Sequence, residues 1–126
     1  MARLLLVDDS QFLVKQIRKF LEAEGHEVVA EGSDGIEGVA LYLEHRPDLT
    51  LLDITMPNKD GRQCLEEILS ADENARVVIV SAVKDRKMIM SCLNLGARGF
   101  IEKPLKFNDE VFCDEFRGAV TEAIEK

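Results

Sequence analysis

The 126 residues carry 24 acidic and 16 basic side chains, a net charge of −8, and 46% of them are hydrophobic. That length holds one domain, 1–126, the apolar share supplies a core without disulfide staples, and the acidic surface repels nucleic-acid phosphate. No apolar run approaches the ~18–20 residues that cross a bilayer, and three widely spaced cysteines without a CxxC pair (Cys64, Cys92, Cys113) fit a reducing, cytoplasmic setting.

Strand and helix signals alternate along the whole chain. Leu4-Leu5-Leu6-Val7 is a continuous apolar run that stops at Asp8-Asp9, the pattern of a strand buried on both faces. Ser10 can cap a helix in which Phe12, Leu13, Ile17, Phe20 and Leu21 recur at helical spacing until Gly25. Glu27 to Ala30 reads as a weaker strand, Gly32-Ser33-Asp34-Gly35 as a turn, and Ile36, Val39, Ala40 and Leu43 as a second helix. A third strand runs from about Leu49 to Asp53, a loop covers Met56 to Gly61, and Cys64, Leu65, Ile68 and Leu69 mark a third helix. Val77-Val78-Ile79-Val80 ends at Ser81, a helix around Asp85–Leu95 is closed by Gly96, and Gly99-Phe100-Ile101 is a short last strand before Lys103-Pro104. In the tail, Val111, Phe112, Phe116, Val120 and Ile124 fall on one helical stripe. Five strands, each followed by a helix, predict a doubly wound α/β sandwich with a parallel sheet.

In such a sheet, function collects beyond the carboxyl ends of the strands. Those ends carry Asp8-Asp9, Asp53, Ser81 and Lys103. Three carboxylates crowded together repel unless a cation neutralises them. Hard oxygen ligands with room for water suit Mg²⁺. A lysine and a hydroxyl beside that metal suit an incoming phosphoryl group, and one carboxylate can act as the nucleophile. The pattern points to metal-assisted phosphoryl transfer to an aspartate.

These pieces resemble the receiver domain of two-component response regulators: Val7-Asp8-Asp9-Ser10, Asp53-Ile54-Thr55-Met56-Pro57 with Asp60-Gly61, Val80-Ser81-Ala82 and Lys103-Pro104. The resemblance implies the flavodoxin-like strand order 2-1-3-4-5, for which a receiver of this family is a standing example. It implies that Asp53 is the phosphoacceptor, and that Asp9, Asp53 and the backbone carbonyl of Thr55 ligate Mg²⁺ with Asp8 assisting through water. It assigns Lys103 to a phosphoryl oxygen, a cis peptide to Pro104, the mobile hydroxyl to Ser81 and the switch aromatic to Phe100. A phenylalanine there brings no hydroxyl, so its signal is packing alone.

The expected function is a signalling switch that takes a phosphoryl group from a histidine kinase or phosphotransfer protein. Output then goes through a protein partner, because no output domain is expected after Lys126, or the group passes on in a phosphorelay. Neither nucleic acid nor membrane is an expected partner. A phosphohydrolase resembling the haloacid dehalogenases is the competing reading. It needs a second acid two residues after the nucleophile, and Thr55 stands there. A pseudo-receiver without chemistry would have lost an acid, the acceptor or the lysine, and all are present.

Other features read as structural. Gly32, Gly35 and Gly38 have the wrong spacing for a dinucleotide loop and read as turn plus helix packing. The cysteines read as small apolar helix residues, His26 and His45 as exposed element ends, and Met88 and Met90 as packing. The run Lys106 to Cys113 is longer and more aromatic than the family's usual segment after Lys-Pro.

Overall fold

The apolar runs become the inner strands of a parallel sheet in the computed structural model, which describes residues 1–56, 59–82 and 86–125. In chain order the elements are β1 (Arg3–Val7), α1 (Gln11–Ala23), β2 (Glu27–Gly32), α2 (Gly35–His45) and β3 (Leu49–Leu52). There follow α3 (Gly61–Ala71), β4 (Val77–Ser81), α4 (Arg86–Leu95), β5 (Gly99–Glu102) and α5 (Glu110–Glu125). The strand order is β2-β1-β3-β4-β5 with every pair parallel, the doubly wound arrangement expected from the alternation.

Side chains alternate across each strand, so the sheet feeds two cores. Leu4, Leu6, Leu49, Leu51, Val78, Val80 and Ile101 meet Val14, Ile17 and Leu21 of α1 and Phe116, Val120 and Ala123 of α5. Leu5, Val7, Leu52, Val77 and Ile79 meet Tyr42 of α2, Cys64, Leu65 and Ile68 of α3, and Ile89 and Cys92 of α4. Burying each large side chain is worth about 1.5–3 kcal/mol relative to leaving it in water. Side-chain caps fix helix starts: Ser10 accepts from the Leu13 amide, Asp34 from Glu37, and Asp60 from Gln63 in a reciprocal capping box.

The structure corrects several local expectations. Phe12 is 73% exposed, and Val14 holds the core position instead, because the buried stripe of α1 is Val14-Ile17-Leu21. Val111, Ile36 and Leu43 also face solvent, and Ala123 rather than Ile124 completes the buried face of α5. The second strand runs on to Gly32, which pairs with Val7, and Gly35 already belongs to α2, leaving Ser33-Asp34 as the turn. The third strand ends at Leu52, one residue before Asp53. Met90 is exposed while Met88 is half-buried against the core. His26 and His45 are half-buried, with His26 Nδ1 accepting from the Ala2 amide at 3.1 Å. Pro57, Asn58 and Asp85 lie outside the described residues.

Candidate functional site

Parallel strands bring all their carboxyl ends to one rim, and β1 and β3 are neighbours there. Asp8 and Asp9 follow β1, and Asp53 follows β3. Asp8 and Asp53 are buried, at 4% and 5% exposure, while Asp9 is open to solvent. One oxygen from each of the three carboxylates lies within 4.8 Å of the others. Lys103, just past β5, reaches across the rim: its Nζ lies 3.0 Å from Asp8 Oδ2 and 3.5 Å from Asp53 Oδ2.

Backbone contacts hold each group. The Ser10 amide donates to Asp8 Oδ1 at 2.9 Å, and the Thr55 amide donates to Asp53 Oδ1 at 3.2 Å. The Asp53 amide donates to the Val7 carbonyl, and the Lys103 amide to the Ser81 carbonyl. The Lys103–Pro104 peptide is cis. Gly61 closes the loop after β3: its amide donates to Ile54 O, and a Cβ there would lie 2.3 Å from the Asp53 carbonyl oxygen. Asp60 and Gly61, quoted above only as part of a motif, thus start α3 and press it against the backbone of Asp53. The buried close approach of Gly61 had no signature in the sequence beyond the residue type.

The electrostatics are unbalanced. Burial pushes the Asp53 carboxyl up to about 6, and the negative charge of Asp8 adds to it; Lys103 and the Thr55 amide pull the other way. Burial pulls the Lys103 ammonium down, but its hydrogen bond to Asp8 and the charge of Asp53 outweigh that and hold it above its ordinary value. Among the described residues one ammonium stands among three carboxylates, which leaves negative charge uncompensated in a half-buried place. All the donors are hard oxygens, and that set fits Mg²⁺.

Ser81 is 1% exposed at the end of β4. Phe100 pairs in register with Ile79, two residues before Ser81, and its half-buried ring packs on the α4 side of the sheet. By alternation Ser81 and Phe100 share that face. Two buried cysteines, Cys64 and Cys92, pack inside the same core, and burial raises both thiols.

The profile of the response regulator receiver domain matches residues 4–111. A chemotaxis protein CheY of Treponema pallidum is 48% identical over 105 residues, covering 82% of this chain and 73% of that one. The CheY of Bacillus subtilis is 42% identical over 104 residues, covering 82% and 87%. The chain belongs to the receiver-domain family of response regulators.

The receiver superimposes on the Borrelia burgdorferi chain in a CheX–CheY–BeF₃–Mg²⁺ complex with a TM-score of 0.88, at 37% identity, covering 98% of this chain and 90% of that one. It also matches the response regulator domain of Thermotoga maritima CheB, with a TM-score of 0.88 at 28% identity, covering 98% and 96%. The receiver is a phosphorylation-dependent signalling switch of two-component systems. The haloacid-dehalogenase reading is not favoured.

Proposed function

We propose that Asp53 is the residue phosphorylated, by a histidine kinase or phosphotransfer protein that presents a phosphohistidine. The Asp53 carboxylate attacks phosphorus, the P–N bond breaks as the P–O bond forms, and the imidazole leaves with its electron pair. Lys103 shifts from Asp8 and Asp53 toward a phosphoryl oxygen, and the Ser81 hydroxyl donates to another. Asp9, Asp53 and the Thr55 carbonyl would hold Mg²⁺, with Asp8 acting through water. The ion supplies charge neutralisation for the carboxylates and the phosphoryl oxygens. As the Ser81 side chain turns toward the phosphoryl group it vacates volume that the Phe100 ring fills, favouring a state that a partner binds.

The observation that carries this reading is the meeting of Lys103 with both Asp8 and Asp53, at 3.0 and 3.5 Å, beside a third acid. Its support for Mg²⁺ is the all-oxygen, uncompensated donor set, together with the magnesium in the related Borrelia complex. That complex also pairs CheY with CheX, which supports output through protein contact. In the same reading the whole chain, 1–126, is one receiver domain in the cytoplasm. It turns over no separate substrate and uses neither nucleic acid nor membrane as partner. No helix among the described residues is long and apolar enough to cross a membrane.

The test is intact mass after incubation with Mg²⁺ and acetyl phosphate. A gain of one phosphoryl group is expected, absent in Asp53→Asn because an amide cannot serve as nucleophile. Equal labelling of that variant would move the acceptor to Asp8 or Asp9.

A further inference from the structure

The three glycines Gly32, Gly35 and Gly38 are left over from the function above, and one of them reaches toward the site. Gly35 is the first residue of α2 and is buried. Its amide donates to the carbonyl of Lys59 at 3.1 Å. A Cβ built on Gly35 would lie 2.1 Å from that same carbonyl oxygen and 2.8 Å from the carbonyl carbon. No side chain fits, and the obstacle is backbone, which cannot swing aside as a flexible side chain can.

Lys59 sits in the segment between Asp53 and α3, the segment that also carries Thr55. Its far end is pinned by Gly61 against Asp53 and Ile54, and its ammonium pairs with Glu67 of α3. Gly35 therefore grips this segment from a different element. The helix carrying it is anchored independently: Asp34 caps it by accepting from the Glu37 amide at 2.8 Å, and Gly38 rests on Val7 and Cys64. Val7 directly precedes Asp8, so one face of α2 touches β1 while its first residue touches the segment after β3.

We infer that Gly35 is a positioning residue for the phosphorylation site: through the Lys59 carbonyl it fixes Lys59 to Gly61, and through the contact of Gly61 with the Asp53 and Ile54 backbone it sets where Thr55 meets the metal. The inference rests on the Mg²⁺ reading above. Gly35 itself touches neither metal nor phosphoryl group. It works because a hydrogen bond and a bare Cα together allow an approach that any β-carbon forbids.

The experiment follows Mg²⁺ binding by backbone amide shifts and hydrogen exchange. In the unaltered protein, saturating Mg²⁺ should shift the Gly35 amide and slow its exchange, in step with the amides of Asp8, Asp9 and Asp53. Gly35→Ala should weaken Mg²⁺ binding about tenfold. Tyr42→Phe, which loses a hydrogen bond at the other end of α2, should bind Mg²⁺ as the unaltered protein does. If Mg²⁺ moves none of the rim amides, the metal reading itself falls. If it moves them while Gly35 stays silent, or if folded Gly35→Ala binds normally, the positioning role is overturned. An equal loss in Tyr42→Phe would also overturn it, as general loosening of α2. Should Gly35→Ala fail to fold, the response of the Gly35 amide in the unaltered protein decides.

Discussion

Two aspartates at opposite ends of the sheet show how differently one side chain can be used. Asp72 closes α3 at the amino end of the strands. There it accepts from the Tyr42 hydroxyl at 2.8 Å and from the Asn74 amide at 3.0 Å, with the Arg46 guanidinium 3.8 Å away. The Tyr42 hydrogen bond holds its carboxyl below the ordinary range, while burial, and then that same bond, push Tyr42 up to about 12. Asp53 at the carboxyl end is buried among acids and is pushed the other way, to about 6. At the amino end the polar groups complete one another and fasten α2 to α3. At the carboxyl end they leave negative charge over, and that surplus is what a divalent cation would neutralise.

The comparison breaks most sharply on the two cations. Lys103→Ala should slow phosphorylation by acetyl phosphate on the order of 100-fold, the scale seen when one preorganised donor to a developing charge is removed. Arg46→Ala, beside Asp72, should leave the rate unchanged. Equal rates for all three proteins would remove Lys103 from the chemistry.

Stability against pH separates the two acids next. In chelator, the folded-state value of Asp53 (about 6) exceeds its ordinary 3.8. Its contribution to folding is thus fully present below 3.8 and is lost as the pH rises through 6. Denaturant titrations should show metal-free protein giving up about 2–3 kcal/mol from this group across that window. Asp53→Asn should remove the loss and be the more stable protein at pH 7. Asp72 has a depressed value, so its contribution is present above the ordinary carboxylate range and fades as the pH falls; Asp72→Asn should be destabilised at pH 7. A stabilised Asp72→Asn would contradict the contrast.

A smaller effect links the rim to the surface. Phe100→Ala should leave Asp53 labelling intact but cut phosphorylation-dependent partner binding about tenfold, the equivalent of one to two kcal/mol of apolar burial. Phosphorylation should change hydrogen exchange mainly in α4, β5 and the start of α5. Unaltered coupling in Phe100→Ala would leave the ring as packing only. The smallest effect is at the other end: Tyr42→Phe should cost about 1 kcal/mol of stability, as for one hydrogen bond, and nothing in labelling.

The aromatic run Lys106 to Cys113 shows where reading the chain alone stopped. Phe107 stacks on Phe20 of α1 at 5.1 Å between ring centroids and meets Phe112 and Phe116 edge-on, at 5.5 and 5.1 Å. The segment thus anchors the connection from β5 to α5, and Asp109 caps the helix by accepting from the Val111 amide. Its composition announced aromatics. Only the fold showed that they point inward to one another rather than outward to a partner.

Periodicity and punctuation determined most of this protein. Continuous apolar runs dictated strands covered on both faces, helical spacing dictated their return, and parallel winding forced Asp8, Asp9, Asp53, Ser81 and Lys103 onto one edge. Those inferences survive because they depend on periods and on chain direction, which local sequence carries. The tertiary structure alone decided that Phe12 faces water and Val14 the core, since both fit a helical stripe until the sheet fixes its direction. It alone separated Asp53 from Asp72, because a carboxylate's charge state depends on neighbours brought from distant parts of the chain. It alone, too, set Gly35 against Lys59, a contact between residues far apart in sequence that requires the absence of an atom.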